Sequence, residues 1–145
     1  MTFHPILSKD PNGNNGLGIT LDEGLAVYYP YIYLNMSIEE ALFDSNTKIL
    51  FEREKEIFQT LESYLFKNET EGCPVFRHCG RSYECEPIIE NLPEDIVDNV
   101  CYFIGFRIIQ KYVEKYGENA WKDIFKIPLK DFYEKSRYKE YIESK

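Results

Sequence analysis

Between positions 95 and 117 the apolar residues fall at Val97, Val100, Cys101, Ile104, Ile108 and Tyr112, the i, i+3, i+4, i+7 series of an amphipathic helix. Pro93 opens this stretch, Glu94 and Asp95 suit the positive end of a helix, and Gly117 can end it in a conformation other residues avoid. Charged Asp98, Arg107, Lys111, Glu114 and Lys115 collect on the opposite face and toward the tail. Gly105 sits mid-helix, at a cost of about 1 kcal/mol against alanine, which points to a second backbone packed close against it. Phe103 and Phe106 lie off the main stripe, so the helix should be covered on more than one side. The pattern predicts a central helix near 95–117.

The same period recurs elsewhere. Thr20 followed by Glu23 has the form of a capping box, predicting a helix that starts at Thr20 and is limited to about two and a half turns, or kinked, by Pro30. Ser37 with Glu40 repeats that signature and opens a short helix over Ile38–Asp44. Over Asn46–Lys67, Leu50, Ile57, Phe58, Leu61, Tyr64 and Leu65 form one stripe, and Glu52, Arg53, Glu54, Lys55 and Glu56 form a solvated face. Short helices follow at Asn119–Lys126, which carries Trp121, and at Leu129–Lys135 behind Pro128, with a last turn or two over Arg137–Ser144. Alternation of period two is nearly absent, so the predicted class is all-α, or nearly so.

Two stretches break the pattern. Residues 1–18 include PNGNNGLG, with four glycines or prolines in eight positions, a composition that favours turns; a flexible N-terminal arm is expected there, followed by a single helical domain over 19–145. Residues 69–92 hold three cysteines, His78, two glycines and two prolines, and read as an irregular cysteine-containing loop of a length that is usually functional or mobile.

The totals narrow the function classes. At 145 residues the chain is one domain long, and 43% hydrophobic with 16% aromatic content argues for a real core. A net charge of −8 with no dense basic cluster argues against nucleic acid as a partner. No apolar run is long enough for a membrane-spanning helix, and no basic segment followed by an apolar one marks a signal peptide. A cytoplasmic setting is the expectation.

Candidate chemistry is sparse. His4 and His78 are the two histidines, and HExxH, GxSxG, Walker and GxGxxG patterns do not occur. Glu23, one turn inside the predicted helix and followed by small Gly24 and Ala26, can point into a cleft as a metal ligand from a supporting helix, or it can simply close the capping box with Thr20. Cys73, Cys79 and Cys85 lack the C-x2–4-C spacing of a structural zinc site; free thiols, a disulfide and a loose zinc site with His78 all remain open. Cys101 is most simply a small core residue. Tyr102 and Arg107, beside Gly105, can stabilise an oxyanion and hold a carboxylate, or serve as a packing aromatic and a surface charge.

Two segments resemble a known family. ITLDEGLAVYY looks like the "EGLA" helix of the DUF2268-like, gluzincin-like zinc-dependent proteases, and YFIGFRIIQKYVEKYG with the following IPLKDFYEKSRY resembles that family's C-terminal pattern, together spanning about residues 17–142. The resemblance implies a zinc metallopeptidase domain in which Glu23 is the third metal ligand, with Tyr102, Gly105 and Arg107 lining or backing the cleft. An HExxH helix should precede Glu23 and is missing, so the chain would be catalytically incomplete: zinc belongs to the complete family domain, and none is expected for this chain alone. The alternative is a small acidic helical interaction module that binds a peptide or protein partner through Tyr28, Tyr29, Tyr31 and Tyr33.

Overall fold

The computed structural model describes residues 10–13, 15–42, 47–66, 76–79, 85–87 and 99–145, the segments 76–79 and 85–87 through their backbone alone. It is mostly helical, as the periodicity predicts. In chain order the elements are α1 (Gly16–Tyr33), α2 (Ile38–Ala41), α3 (Thr47–Glu52), α4 (Glu54–Leu61) with a 3-10 turn at Glu62–Tyr64, β1 (Phe76–Cys79), β2 (Cys85–Pro87), α5 (Val100–Tyr116), a 3-10 helix at Ala120–Phe125, α6 (Leu129–Ser136) and α7 (Tyr138–Glu143). The two strands pair antiparallel, with Phe76 opposite Pro87 and Cys79 opposite Cys85. This ribbon lies within the stretch expected to be irregular. No helix among the described residues is long and apolar enough to cross a membrane.

The core is built on α5 lying against α1. Phe103, Ile104, Phe106, Ile108 and Ile109 on α5 and Leu17, Leu21, Leu25 and Val27 on α1 are all fully buried. The helices meet where both lack a side chain: a Cβ on Gly105 would stand 2.8 Å from Gly24 Cα and closer still to the Thr20 carbonyl oxygen. A glycine in mid-helix thus marks a backbone contact, as the sequence implied. Phe103 and Phe106 are covered because α5 is enclosed on several sides. Its first described residue is Asn99, so the predicted opening at 95–98 lies outside the described residues. Gly117 ends it at φ +110°, where L side chains are strained, and donates its N–H to the Val113 carbonyl at 2.9 Å.

Three expectations need correction. First, α1 begins at Gly16, not Thr20, and runs through Pro30 to Tyr33. Asn15 caps it by accepting from the Gly18 N–H at 3.2 Å, and Asn15 is itself held by Asn12 at 2.7 Å. Thr20 is therefore interior and buried, and it forms no capping box with Glu23. The glycines do not prevent the helix because tertiary contact fixes them: the Leu17 N–H donates to the Leu65 carbonyl at 2.6 Å, and Gly16 abuts the Tyr64 backbone. Second, the helix expected over Asn46–Lys67 is broken at Arg53, which adopts φ −106° and ψ 14°. Third, Glu54 does not belong to a solvated face; it is completely buried. The Ser37–Glu40 capping box forms as predicted, with the Glu40 N–H donating to Ser37 Oγ at 3.1 Å.

The C-terminal helices close the other side of α5. Leu129 and Phe132 of α6 and Tyr138 and Ile142 of α7 are buried, and Phe132 stacks on Tyr112 at 4.0 Å. Arg137 joins the two helices in the left-handed region at φ 57°. Asp10 accepts from the Leu129 N–H at 3.0 Å, satisfying an orphan donor at the start of α6 and tying residue 10 to the far end of the chain.

Candidate functional site

The glycine contact brings Glu23 of α1 and Tyr102 of α5 into one neighbourhood. Glu23 Oε2 is buried and has no hydrogen-bond partner among the described residues, and the same holds for Thr20 Oγ1 one turn earlier. Burial, reinforced by the neighbouring Asp22, pushes the Glu23 carboxyl from its ordinary 4.5 up to about 7. Tyr102 is half-buried; burial raises its hydroxyl, and the Glu23 and Asp22 charges raise it further. The pair offers a proton-holding carboxyl beside a phenol. A catalytic zinc takes three protein ligands, and no three His, Cys, Asp or Glu converge among the described residues. Glu23 with Tyr102 therefore does not fit such a metal by itself. His4 and His78, the other donors the sequence offered, lie outside the described side chains.

Arg107 is not part of that neighbourhood. It does hold a carboxylate, but an internal one: its Nε donates to Glu54 Oε2 at 2.6 Å, and Nη2 donates to the Tyr141 hydroxyl at 3.1 Å. Glu54 also accepts from the Tyr138 hydroxyl at 2.9 Å and from Lys145 Nζ at 2.6 Å. The guanidinium lies 4.9 Å from the Phe51 ring and 5.5 Å from that of Tyr141. Burial alone would raise the Glu54 carboxyl, but the donors from Arg107, Lys145 and Tyr138 outweigh it and hold the group below its ordinary value. This is an ion pair of side chains 7% and 0% exposed, a cluster that joins α4, α5 and α7. The sequence reading missed Glu54, although the signal was present: Leu50, Glu54, Ile57, Phe58 and Leu61 follow the helical period, so Glu54 stands in the apolar stripe.

A third cluster lies at the C-terminal end of α1. Tyr29 packs on Tyr33 at 4.6 Å, and Trp121 of the 3-10 helix meets Tyr33 at 6.1 Å and 80° and Tyr28 at 6.5 Å and 51°. Between them is a pocket of about 130 Å³ lined by Tyr28, Ile32, Tyr33, Glu118, Asn119 and Trp121. Its inner rings are fixed by the core, Tyr28 against Phe106 at 5.8 Å and Trp121 against Phe125 at 6.3 Å. Tyr33 and the adjoining Leu34 are 52% and 67% exposed. The tyrosines of this helix were legible as a candidate surface; Trp121, some ninety positions downstream, was not. A larger open cleft of about 630 Å³ runs along α6 and α7 over Phe66 and Tyr133. Its lining charges balance, Lys130, Arg137 and Lys139 against Glu62, Glu134 and Glu140, with Lys139 paired to Glu62 and Arg137 to Glu140.

Compared with protein families, curated proteins and solved structures, the chain matches none. Cys101 is fully buried on α5, as its place in the stripe predicted, but it is disulfide-bonded. The sequence reading gave Cys101 a packing role alone, so its disulfide was not foreseen; the alternatives left open for Cys73, Cys79 and Cys85 concern side chains outside the described residues.

Proposed function

We propose that this chain is a helical interaction domain that engages a peptide or protein partner through the aromatic end of α1. The observation that carries the proposal is the exposed pair Tyr33 and Leu34 continuous with a rigid aromatic cluster around Trp121. Tyrosine and tryptophan held in place by a core lose little entropy on binding, and such rings dominate interface energetics. The disulfide at Cys101 favours an oxidising setting over the cytoplasm expected from sequence. In the test, a photo-crosslinking residue at position 34 captures the partner, which is identified, purified and titrated. Tyr33→Ser with Leu34→Ser should weaken its binding by about tenfold or more, the worth of one buried aromatic anchor, with the melting curve little changed. Equal affinity for the wild type and the double variant would end this reading.

A second reading keeps the metallopeptidase likeness, and the buried, unpartnered Glu23 oxygen beside Tyr102 favours it. It makes Glu23 a metal ligand whose companions come from elsewhere in the chain or from a partner. Zinc content of protein purified without chelators decides. About one zinc per chain, lost in Glu23→Ala, supports this reading, whereas zinc that persists in Glu23→Ala counts against it.

A further inference from the structure

We propose that the pocket between Tyr28, Tyr33 and Trp121 is an aromatic cage for a trimethylammonium group, that of a trimethylated lysine side chain on the peptide partner. This inference rests on the interaction reading above and names the chemistry its partner must carry.

The size of the pocket comes first. Its volume of about 130 Å³ is close to the ~150 Å³ that accommodates benzene in an engineered apolar cavity, room enough for a nitrogen with three methyl groups. The walls come next. Tyr33 stands at 80° and Tyr28 at 51° to Trp121, so the rings are set at angles to one another and do not stack into a closed sandwich. Aromatic faces carry partial negative charge and attract cations, tryptophan most strongly. This indole already has one cation nearby, with Lys122 Nζ 5.9 Å from the ring. Tyr28 and Trp121 are 4% and 6% exposed, so the inner walls cannot swing away, and Tyr33 at the rim is held by Tyr29 at 4.6 Å.

Charge then distinguishes a cation from a neutral guest. Glu118 lines the pocket mouth, and its carboxylate is close enough to act on the Tyr28 hydroxyl, which burial first and then Tyr31 and Glu118 push up to about 12. The whole chain carries −8. The degree of methylation follows from hydration. A bare lysine ammonium is compact and strongly hydrated, with three donors to satisfy, and besides the Glu118 carboxylate this pocket offers it an amide and two phenol oxygens, all neutral groups set among rings. Three methyl groups spread the charge and replace those donors with surface the rings can touch. A choline headgroup has the same cationic end, but its adjoining phosphate would face Glu118 and a strongly acidic protein, so a peptide is the better source.

Trp121 is the sole tryptophan, so its fluorescence reports on this pocket directly. The intact chain is titrated with a short peptide bearing trimethyllysine, the same peptide with unmodified lysine, the same peptide with the uncharged tert-butyl isostere, and phosphocholine. A saturable fluorescence change is expected with trimethyllysine, about tenfold or more weaker with lysine and with the isostere. Tyr33→Leu and Glu118→Gln, both at solvent-facing positions, should each weaken trimethyllysine binding several-fold without altering the melting curve. An isostere that binds as well as the cation, or the absence of any saturable change with trimethyllysine, would overturn the cage. Phosphocholine binding more tightly than the peptide would overturn the peptide source. If the cage fails while the crosslinked partner still requires Tyr33 and Leu34, the interaction reading stands and this inference alone falls.

Discussion

Replacing Gly105 by alanine sets two effects of opposite sign against each other. In an isolated helix the change is worth about 1 kcal/mol of added stability, because glycine loses more backbone freedom on ordering. In this fold the new methyl would lie 2.8 Å from Gly24 Cα and 2.9 Å from Gly24 N, and nearer still to the Thr20 carbonyl, where carbon contacts sit best at about 3.5–4.0 Å. These are backbone atoms of a packed helix, so no side chain can rotate out of the way. Restoring normal contact requires α1 and α5 to separate by about 1 Å at the crossing, and a gap of that size forfeits roughly a quarter to a half of each dispersion contact across it. With overpacking at the upper end of its usual range, about 3 kcal/mol, because the clash is with backbone, the net loss is about 2 kcal/mol. For urea unfolding at a slope of about 1.5 kcal/mol/M, the midpoint falls by roughly 1.3 M. Gly24→Ala opens the same gap, so it should cost a similar amount, and the double variant should cost less than the sum. An unfolding midpoint for Gly105→Ala equal to or above the wild type would mean that propensity wins and that the helices do not touch at this point.

The remaining predictions concern the two buried carboxyls. Arg107→Met leaves the fully buried Glu54 with Lys145 and Tyr138 as its remaining partners among the described residues and should cost about 3–5 kcal/mol. Arg107→Met combined with Glu54→Leu should cost less than Arg107→Met alone, a result that equal or greater loss in the double variant would refute. Because the folded-state value of Glu54 is depressed, its stabilisation is complete above its unfolded value and fades as pH falls through the folded one. The acid-unfolding midpoint should therefore move to higher pH in Arg107→Met. Glu23 has the opposite sign. Its value rises from 4.5 to about 7 on folding, so the folded state keeps its proton longer and stability falls as pH rises between those values, then levels. Glu23→Gln removes that slope and, after discounting for its partial exposure, should be the more stable protein at pH 8 by about 1–2 kcal/mol relative to the difference at pH 4. Parallel stability profiles for the two proteins between pH 4 and 8 would refute it.

The sequence by itself determined the helical class, the central helix, the Ser37–Glu40 cap and, through a single mid-helix glycine, the existence of a backbone contact. These are local or periodic properties: side-chain spacing decides which face is buried, and a glycine that costs stability must be offset by something close to it. The same spacing contained the burial of Glu54, but residue type outweighed position in the reading. A charge in a charged run reads as solvated, because its partner, Arg107, lies fifty-three positions away. Tertiary structure alone decided the start of α1, where glycine-rich sequence is held helical by the Leu65 and Tyr64 backbone. It also decided the separation of the expected site residues, placing Tyr102 beside Glu23 and Arg107 with Glu54, since α5 presents them on different sides. Trp121 meeting Tyr28 and Tyr33 is of the same kind. No local pattern records which ring closes a pocket when the rings come from elements far apart along the chain, and only the packing of α1 against α5 and the 3-10 helix brings them together.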